Sequence, residues 1–559
     1  METSRRHMPA PAIRCGRVGA ANRSAFFAIL VAAPFSLACT TQEAAPVANV
    51  VVAGADRVLF VRGGSSGADA DGSKDRPFAT LGAAASKATS GTAILVAAGT
   101  YTESIVLAAG VTVIGQGAVT LSPTAAAAAI TADANGGFVD LQHIRIAGAA
   151  VAGVNTRGVH LRLVDCIIEN TRNVATASAE TSWVNGHGIH FQGSPSSGET
   201  LGTRVLELVK TRVVGNGGVG VLAVHAAQVV IRGEGTDSPR PKPATGGEAG
   251  IILPDFLPDS RVEDNQLGGV AIILPDFKPQ DQLGIILPDF LVAITGTAIR
   301  RNVHFGVDVR VGDVAAQFVI ARSLIANTFR LATADAADGL VVADTQKATG
   351  KGVVTVKVGQ DVVLAGHERA GAIFASKAQI VGTFSGVVSA CSFGGLWAEG
   401  ASVAFTLTNT AIFHNNVLIG AGFSGGASAQ IDRSVFSHTQ PYTYSPPMGG
   451  TAVQFGDGLG VFNQAKATAI GASFLANDRA GIVAFQPSGK GGIVAKDCQF
   501  QGGKFGVAIG GKTAAADYAT GDFDAKALNN AFEGTGSQVQ LGGNLCVIPG
   551  RSAAATGCL

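Results

Sequence analysis

Cys166-Ile-Ile168-Glu-Asn170 is the first clear copy of a cassette that recurs down this 559-residue chain. It comprises a small residue, a spacer, a large apolar residue, a second spacer, then Asn, Gly or His. Further copies read Ala298-Ile-Arg-Arg-Asn302, Ser323-Leu-Ile325-Ala-Asn327 and Cys391-Ser-Phe393-Gly-Gly395. Ala411-Ile-Phe413-His-Asn415, Ser434-Val-Phe436-Ser-His438, Ser473-Phe-Leu475-Ala-Asn477 and Cys498-Gln-Phe500-Gln-Gly502 follow. The small and large residues are two apart, so both face one side of an extended strand. Several neighbouring copies are separated by about 20 to 25 residues, the period of a solenoid whose coils bury their inner faces only by stacking.

After many copies the chain starts another strand with Gly and a β-branched or large residue. Examples are Gly188-Ile-His190-Phe, Gly306-Val-Asp308-Val, Gly481-Ile-Val483-Ala and Gly506-Val-Ala508-Ile. Asn and Gly at the corners suit the positive φ of a sharp turn. No helical periodicity competes after residue 90. Two strands and their corners per repeat predict an all-β fold, a right-handed parallel β-helix. Here the chain resembles the bacterial pectin-lyase-like β-helix proteins, over roughly residues 56 to 550. That fold hosts lyases, hydrolases, adhesins and inert stalks, so the resemblance implies the architecture and leaves the function open.

The order Asp71-Gly-Ser, Pro77-Phe78, Thr80-Leu81, an Ala-rich segment Gly82–Ala88, Gly99-Thr-Tyr101 and Glu103 resembles the N-terminal cap of such proteins. It implies a short helix over the open end of the solenoid, within a cap and first rungs at 56–117. Asp69, Asp71 and Asp75 in the entry turn have the spacing to hold Ca²⁺, although a polar Gly-rich turn needs no metal. The β-helix proper is expected over 118–545.

Residues 1–38 read as an export signal, with Arg5, Arg6, Arg14, Arg17 and Arg23 before the apolar stretch Ala25–Phe35. That stretch is too short for a mature membrane span. Ser36-Leu-Ala-Cys39 resembles a bacterial lipoprotein signal, which implies lipidation of Cys39; the other reading is ordinary secretion with cleavage near Ala38. Residues 39–55 would be a tether. With Thr40 after the cysteine, the lipoprotein resemblance implies transfer to the outer membrane, on its periplasmic or surface face. Removing residues 1–38 takes away five arginines and one glutamate and leaves 36 basic against 39 acidic side chains. This balance argues against a nucleic-acid partner.

Cys166, Cys391 and Cys498 fall at the small inward position and read as core thiols. Cys546 and Cys558, 12 apart in the tail 546–559, are the natural disulfide in an oxidising compartment. Ile-Ile-Leu-Pro-Asp-Phe occurs at 251–256, 272–277 and 285–290, within an insertion near 236–292. It reads either as an added rung with a loop excursion or as an apolar protrusion for a partner.

Catalytic residues are thinly represented. Outward positions inferred from the rung starts are His190, Leu222, Asp308 with Arg310, Gln454, Val483 and Ala508. Gly186-His187-Gly188 resembles a polygalacturonase motif, but the acidic sets that those enzymes need are missing, and His187 reads as a turn residue. The best acid-base cluster is Arg300, Arg301, His304, Asp308, Arg310 and Asp313, of which His304, Asp308 and Arg310 are the catalytic candidates. Asp308 and Arg310 equally suit a plain surface ion pair. Trp183, Trp397 and four tyrosines are few for a protein that grips long glycans. Tyr442 and Tyr444, in a Pro-rich stretch, are the best candidates for ligand contact. Two functions remain: a non-catalytic, lipid-anchored β-helix that binds glycan or another envelope protein, and a polysaccharide lyase or hydrolase. No cofactor beyond the calcium turn is implied.

Overall fold

The computed structural model describes residues 55–65, 69–134, 136–173, 185–193, 204–233, 259–274, 290–330, 336–408, 410–444, 453–486, 492–510, 530–533, 535 and 537–541. Cys39, the tether, the first hexapeptide copy and Cys546 with Cys558 lie outside them. The described strands form a parallel β-helix. A 15-stranded sheet makes one face, and a 27-stranded sheet runs as two further columns, one of longer and one of shorter strands. One rung shows the path. His187–Gln192 lies in the 15-stranded sheet, Val205–Val209 in the longer column and Arg212–Val214 in the shorter one, before Val219–Val224 returns to the first sheet. All pairings in these two sheets are parallel, and apart from register shifts near Ala97–Gly99 and Ile114–Val119 in the first rungs they keep step, so like positions stack.

The inward position of the short strands carries the large residue of the cassette. Ile168, Val213, Val262, Ile299 and Ile325 are buried there in successive rungs. Further on, Phe413, Phe436, Phe474, Phe500 and Phe532 stack with centroids 4.8–5.0 Å apart and planes within 9°. This spacing is that of the strands themselves, so the parallel ladder imposes the ring stack.

The register of three cassettes differs from the sequence reading by one place or more. Thr297 and Ile299, not Ala298 and Arg300, face inward in the first, and Ala472 and Phe474 replace Ser473 and Leu475 in another. Cys391 belongs to the next inward position along the rung, and its N–H donates to Asn416 Oδ1 at 3.2 Å; Phe393 is 40% exposed. A spacing of two cannot distinguish these frames when small and large residues also occur one place away. The core assignment of the thiols holds. Cys166, Cys391 and Cys498 are buried and free, and burial pushes them up to about 12, 12 and 11.

Past most short strands the chain turns through one residue of positive φ and then a buried polar residue. The turn residue is Asn170, Asn327, Asn415, His438 or Gly502 in some rungs, as expected, but Asp264, Arg301, Ala390 and Ala476 in others. A hydrogen-bonded ladder inside the corner holds these less permissive residues in place. Asn216 Nδ2 donates to Asn265 Oδ1 at 2.9 Å, and Asn265 Nδ2 donates to Asn302 Oδ1 at 2.9 Å. Asn302 Nδ2 closes on the Val262 carbonyl at 2.9 Å. His367 occupies the same slot, fully buried, with Nδ1 2.8 Å from Thr328 Oγ1.

Glycine is the second residue of every strand of the 15-stranded sheet from Ala152–Arg157 to Phe505–Gly510. These glycines are required for space. A Cβ on Gly188 would lie 2.5 Å from Val213 Cγ1, 2.6 Å from the Gly220 carbonyl oxygen and 2.9 Å from Asn216 Nδ2. A Cβ on Gly481 would meet Phe500 Cδ1 at 2.6 Å and the Gly506 oxygen at 2.8 Å.

The capping helix is Leu81–Lys87, buried through Leu81, Ala84 and Ala85. Thr80 Oγ1 accepts from the Ala83 N–H at 3.2 Å, and Glu103 accepts from the Leu81 and Gly82 N–H groups at 2.6 and 2.8 Å. A carboxylate at this end satisfies orphan donors and the helix dipole together. The helix packs against Arg57–Val61, Thr92–Tyr101 and Ile105–Val106. Arg57–Val61 pairs with Thr92–Tyr101, so the cap is continuous with the solenoid. The hexapeptide copies do not occupy equivalent places: Ile272 and Ile273 end a strand of the 15-stranded sheet, whereas Phe290 opens one in the longer column. The rest of both copies lies outside the described residues, apart from the buried Leu274.

Two outcomes are expected from these ladders. Gly481→Ala destabilises the protein by about 1–3 kcal/mol through overpacking, whereas Gly63→Ala, with its nearest neighbour 4.0 Å away, leaves denaturant melting unchanged. His367 is held neutral because burial lowers its pKa from 6.5 to about 3. A depressed histidine contributes stability that is present above pH 6.5 and is lost as pH falls toward 3. His367→Asn, which restores the ladder's commonest side chain, makes thermal stability less sensitive to pH across that window.

Candidate ligand-binding face

Alternate residues of the 15-stranded sheet point outward, and stacking arranges them in two parallel rows. The first runs Thr131, Asn155, His190, Leu222, Ala271, Asp308. The second runs Asp133, Arg157, Gln192, Val224, Ile273, Arg310. Three zones follow one another along this face: polar, apolar with one ion pair, and aromatic.

Asp308 and Arg310 are outward, as alternation requires, and form an ion pair that leaves the buried Asp308 Oδ1 without a hydrogen bond. Arg310 Nε lies 2.8 Å from Asp308 Oδ1, and its Nη2 donates to Oδ2 at 2.9 Å. Their neighbours one rung away are Ala271 and Val341, Ile273 and Ala343. Burial raises the Asp308 pKa, which Arg310 opposes and Asp338 reinforces. The other members of the predicted cluster lie elsewhere. His304 is buried in the preceding corner with φ 64°, and burial lowers its pKa. Arg300 and Arg301 pair with Glu263 and Asp264 at 2.7–2.9 Å beside the short-strand column. Asp313 closes a loop by accepting from the N–H groups of Thr349, Gly350 and Lys351 at 2.9–3.1 Å. The fold thus brings together only Asp308 and Arg310.

His187, expected as a turn residue, instead opens the strand His187–Gln192, where it is 1% exposed and accepts from the Val219 N–H at 3.2 Å. Asp71 of the entry turn is engaged by Arg76 and accepts from the Ser73 N–H at 2.9 Å. Asp69 and Asp75 are exposed, and among the described residues no three acidic, His or Cys side chains form a metal-ligating group.

The aromatic zone is where the structure gathers what the sequence disperses. Trp397 stands in the first outward row, and the next two rungs place Gly422 and Gly460 there. A Cβ on Gly422 would collide with the indole, so the ring lies across that glycine. Phe462 lies over Gly460 in the same way and stacks with Trp397, centroids 5.9 Å apart and planes 21° from parallel. Trp397 Nε1 donates to Glu399 at 3.2 Å. Tyr442–Tyr444 pairs with Val453–Phe455 as an antiparallel hairpin, which also removes Gln454 from the rung face where it was expected. The half-buried Tyr442 meets the exposed Phe393 edge-on at 6.3 Å. Phe455 is covered by the Arg479 guanidinium at 4.6 Å, itself bonded to Asp457 at 2.8 Å. Val483 and Ala508, outward by register, are fully buried in this cluster. Nothing in the spacing of Phe393, Trp397, Tyr442 and Phe462 signals their proximity.

Comparison with known proteins leaves the family open. No family model matches the chain, and no curated protein sequence matches it. Among solved structures it is similar to the Azotobacter vinelandii mannuronan C-5 epimerase AlgE6 A-module, at 13% identity and a TM-score of 0.31, over 83% of this chain and 93% of that one.

The ion pair gives a specific expectation. Arg310→Ala strips the countercharge from a largely buried carboxylate and costs about 1–3 kcal/mol, whereas Asp308→Asn combined with Arg310→Ala recovers most of that loss. Chemical denaturation of the single and double variants provides the measurement.

Proposed function

We propose that this protein is a lipid-anchored component of a bacterial cell envelope that binds a glycan, without cleaving it, on the outer face of its 15-stranded sheet. The observation that carries the reading is the aromatic platform of Trp397, Tyr442 and Phe393, partly or fully exposed on the sheet and backed by the buried Phe462. Flat aromatic rings bury the apolar C–H faces of sugar rings at little conformational cost, while a polar edge such as the indole N–H keeps orientation. Glu399 at that edge and the exposed Gln454 of the hairpin supply polar groups near the platform. The non-catalytic part rests on the Asp308–Arg310 ion pair, in which Arg310 Nε and Nη2 both donate to Asp308 Oδ2. The enzymatic alternative, a lyase or hydrolase, draws only on Asp308, whose buried carboxyl has the raised pKa suited to a general acid. The anchor reading rests on Cys39, since stable membrane attachment needs more than one acyl chain and a lipoprotein cysteine supplies them.

The test is a panel of neutral and acidic polysaccharides, scored for binding by the purified mature chain and for new reducing ends or unsaturated products. Retention of at least one glycan, weakened about tenfold or more by Trp397→Ala and accompanied by no new chain ends, is expected. That loss corresponds to about 1.4 kcal/mol. Depolymerisation abolished by Arg310→Ala would replace this reading with the enzymatic one. In the native host, Cys39→Ser is expected to move the protein out of the membrane fraction.

A further inference from the structure

Thr131, Asn155 and His190 occupy one outward row in three successive rungs, and Asp133, Arg157 and Gln192 occupy the next. Asp133 and Arg157 are exposed, and the other four are partly exposed. The block ends abruptly, because the following rungs place Leu222 with Val224 and then Ala271 with Ile273 in the same rows. On several other rungs, outward acids and bases close on each other. Arg162 bridges to Glu207 at 3.1 Å, Arg300 to Glu263 at 2.8 Å and Arg310 to Asp308 at 2.8 Å. Here they do not. Asp133 and Arg157 are register partners, yet neither forms an ion pair, and none of the six side chains forms a hydrogen bond among the described residues. His190 makes only a ring contact, to His187 at 5.7 Å.

From these observations we infer that the six side chains form a second sugar subsite, and that one neutral polysaccharide chain laid along the stacking direction occupies both this array and the aromatic platform. The inference rests on the glycan-binding reading. Its chemistry is that of hydroxyl recognition. Asn155 and Gln192 each offer an amide donor pair and an acceptor, Arg157 offers a donor fork and Asp133 accepts. Adjacent rungs about 4.8 Å apart present these groups at repeated intervals, as a polymer of hydroxylated rings presents its own. The charges of Asp133 and Arg157 cancel, and the charged group beside Trp397 is Glu399, so a polyanion gains no net attraction. Burial also keeps His190 in its neutral form, able to donate at one ring nitrogen and accept at the other.

The two zones lie on one face and in line. His187–Gln192 and Gly394–Glu399 are separated by six strand steps in the sheet order, about 29 Å at ~4.8 Å per step. A ligand long enough to span that distance makes its second contact intramolecularly, which raises affinity without any new contact.

The experiment is isothermal titration of the mature chain with cello- and xylo-oligosaccharides of graded length, with polygalacturonate as the charged comparison. Wild type is compared with Trp397→Ala and with the double variant Asn155→Ala, Arg157→Ala. Circular dichroism and melting confirm that the variants are folded. Short fragments are expected to bind at two sites per wild-type chain and at one in either variant. Fragments that span both zones are expected to bind at least about tenfold tighter than short ones, a gain that both variants abolish. Wild-type behaviour of the double variant with short and long ligands would overturn the inference, as would tighter binding of polygalacturonate. If Trp397→Ala changes nothing while the double variant loses its site, the platform reading fails and the array stands as a sugar site alone. If no sugar binds, both fail.

Discussion

The close approach of backbone to side chain at the glycine corner is the contact on which this molecule depends. In each rung the short strand ends with a large apolar side chain pointing inward, and the next strand must begin almost against it. Gly188 and Gly481 show the clearance, which is too small for a methyl group on either the side-chain or the backbone side. Because the same corner recurs in every rung of the 15-stranded sheet from Ala152–Arg157 to Phe505–Gly510, its geometry sets the register of all three columns. The phenylalanine stack and the Asn216-Asn265-Asn302 ladder are consequences of that register.

Fixed register has a functional consequence. A sheet whose strands are in step carries its outward residues in straight rows, so residues far apart in sequence become neighbours at intervals of about 4.8 Å. Evolution can write along such a row one rung at a time without disturbing the interior, because successive side chains alternate between core and solvent. The polar array, the Asp308–Arg310 pair and the aromatic platform are three different uses of the same two rows. Small residues also matter in these rows. Gly422 gives Trp397 room to lie flat across the neighbouring rung, and Gly460 makes room for the buried Phe462 that stacks on it; a flat ring is what a sugar face requires.

Rigid placement also separates residues that sequence proximity suggests are partners. Arg300, Arg301, His304, Asp308, Arg310 and Asp313 lie within a short stretch, yet the corner at Arg301 to His304 sends them to different faces. Each then finds a local purpose, as an ion pair, a corner residue or a loop clasp. The fold suits a binding scaffold in this respect: many of its charged groups secure neighbouring rungs to one another through ion pairs.

The cassette by itself determined the parallel β-helix and the burial of Cys166, Cys391 and Cys498, and the Ala-rich segment after Leu81 determined the position of the capping helix. These properties follow from local patterning repeated many times, so an error in one copy does not disturb the conclusion. Only the tertiary structure decided the frame of the copies near 298, 391 and 473, since small and large residues one place apart fit the same spacing and the ladder selects between them. It likewise decided that Gln454 lies in a hairpin and that Asn155, Arg157, His190 and Gln192 stand side by side. The convergence of Phe393, Trp397, Tyr442 and Phe462 was hidden for the same reason. Each residue is outward or in a connection, where no inward periodicity constrains it, and proximity across rungs depends on loop lengths and register that the linear sequence does not display.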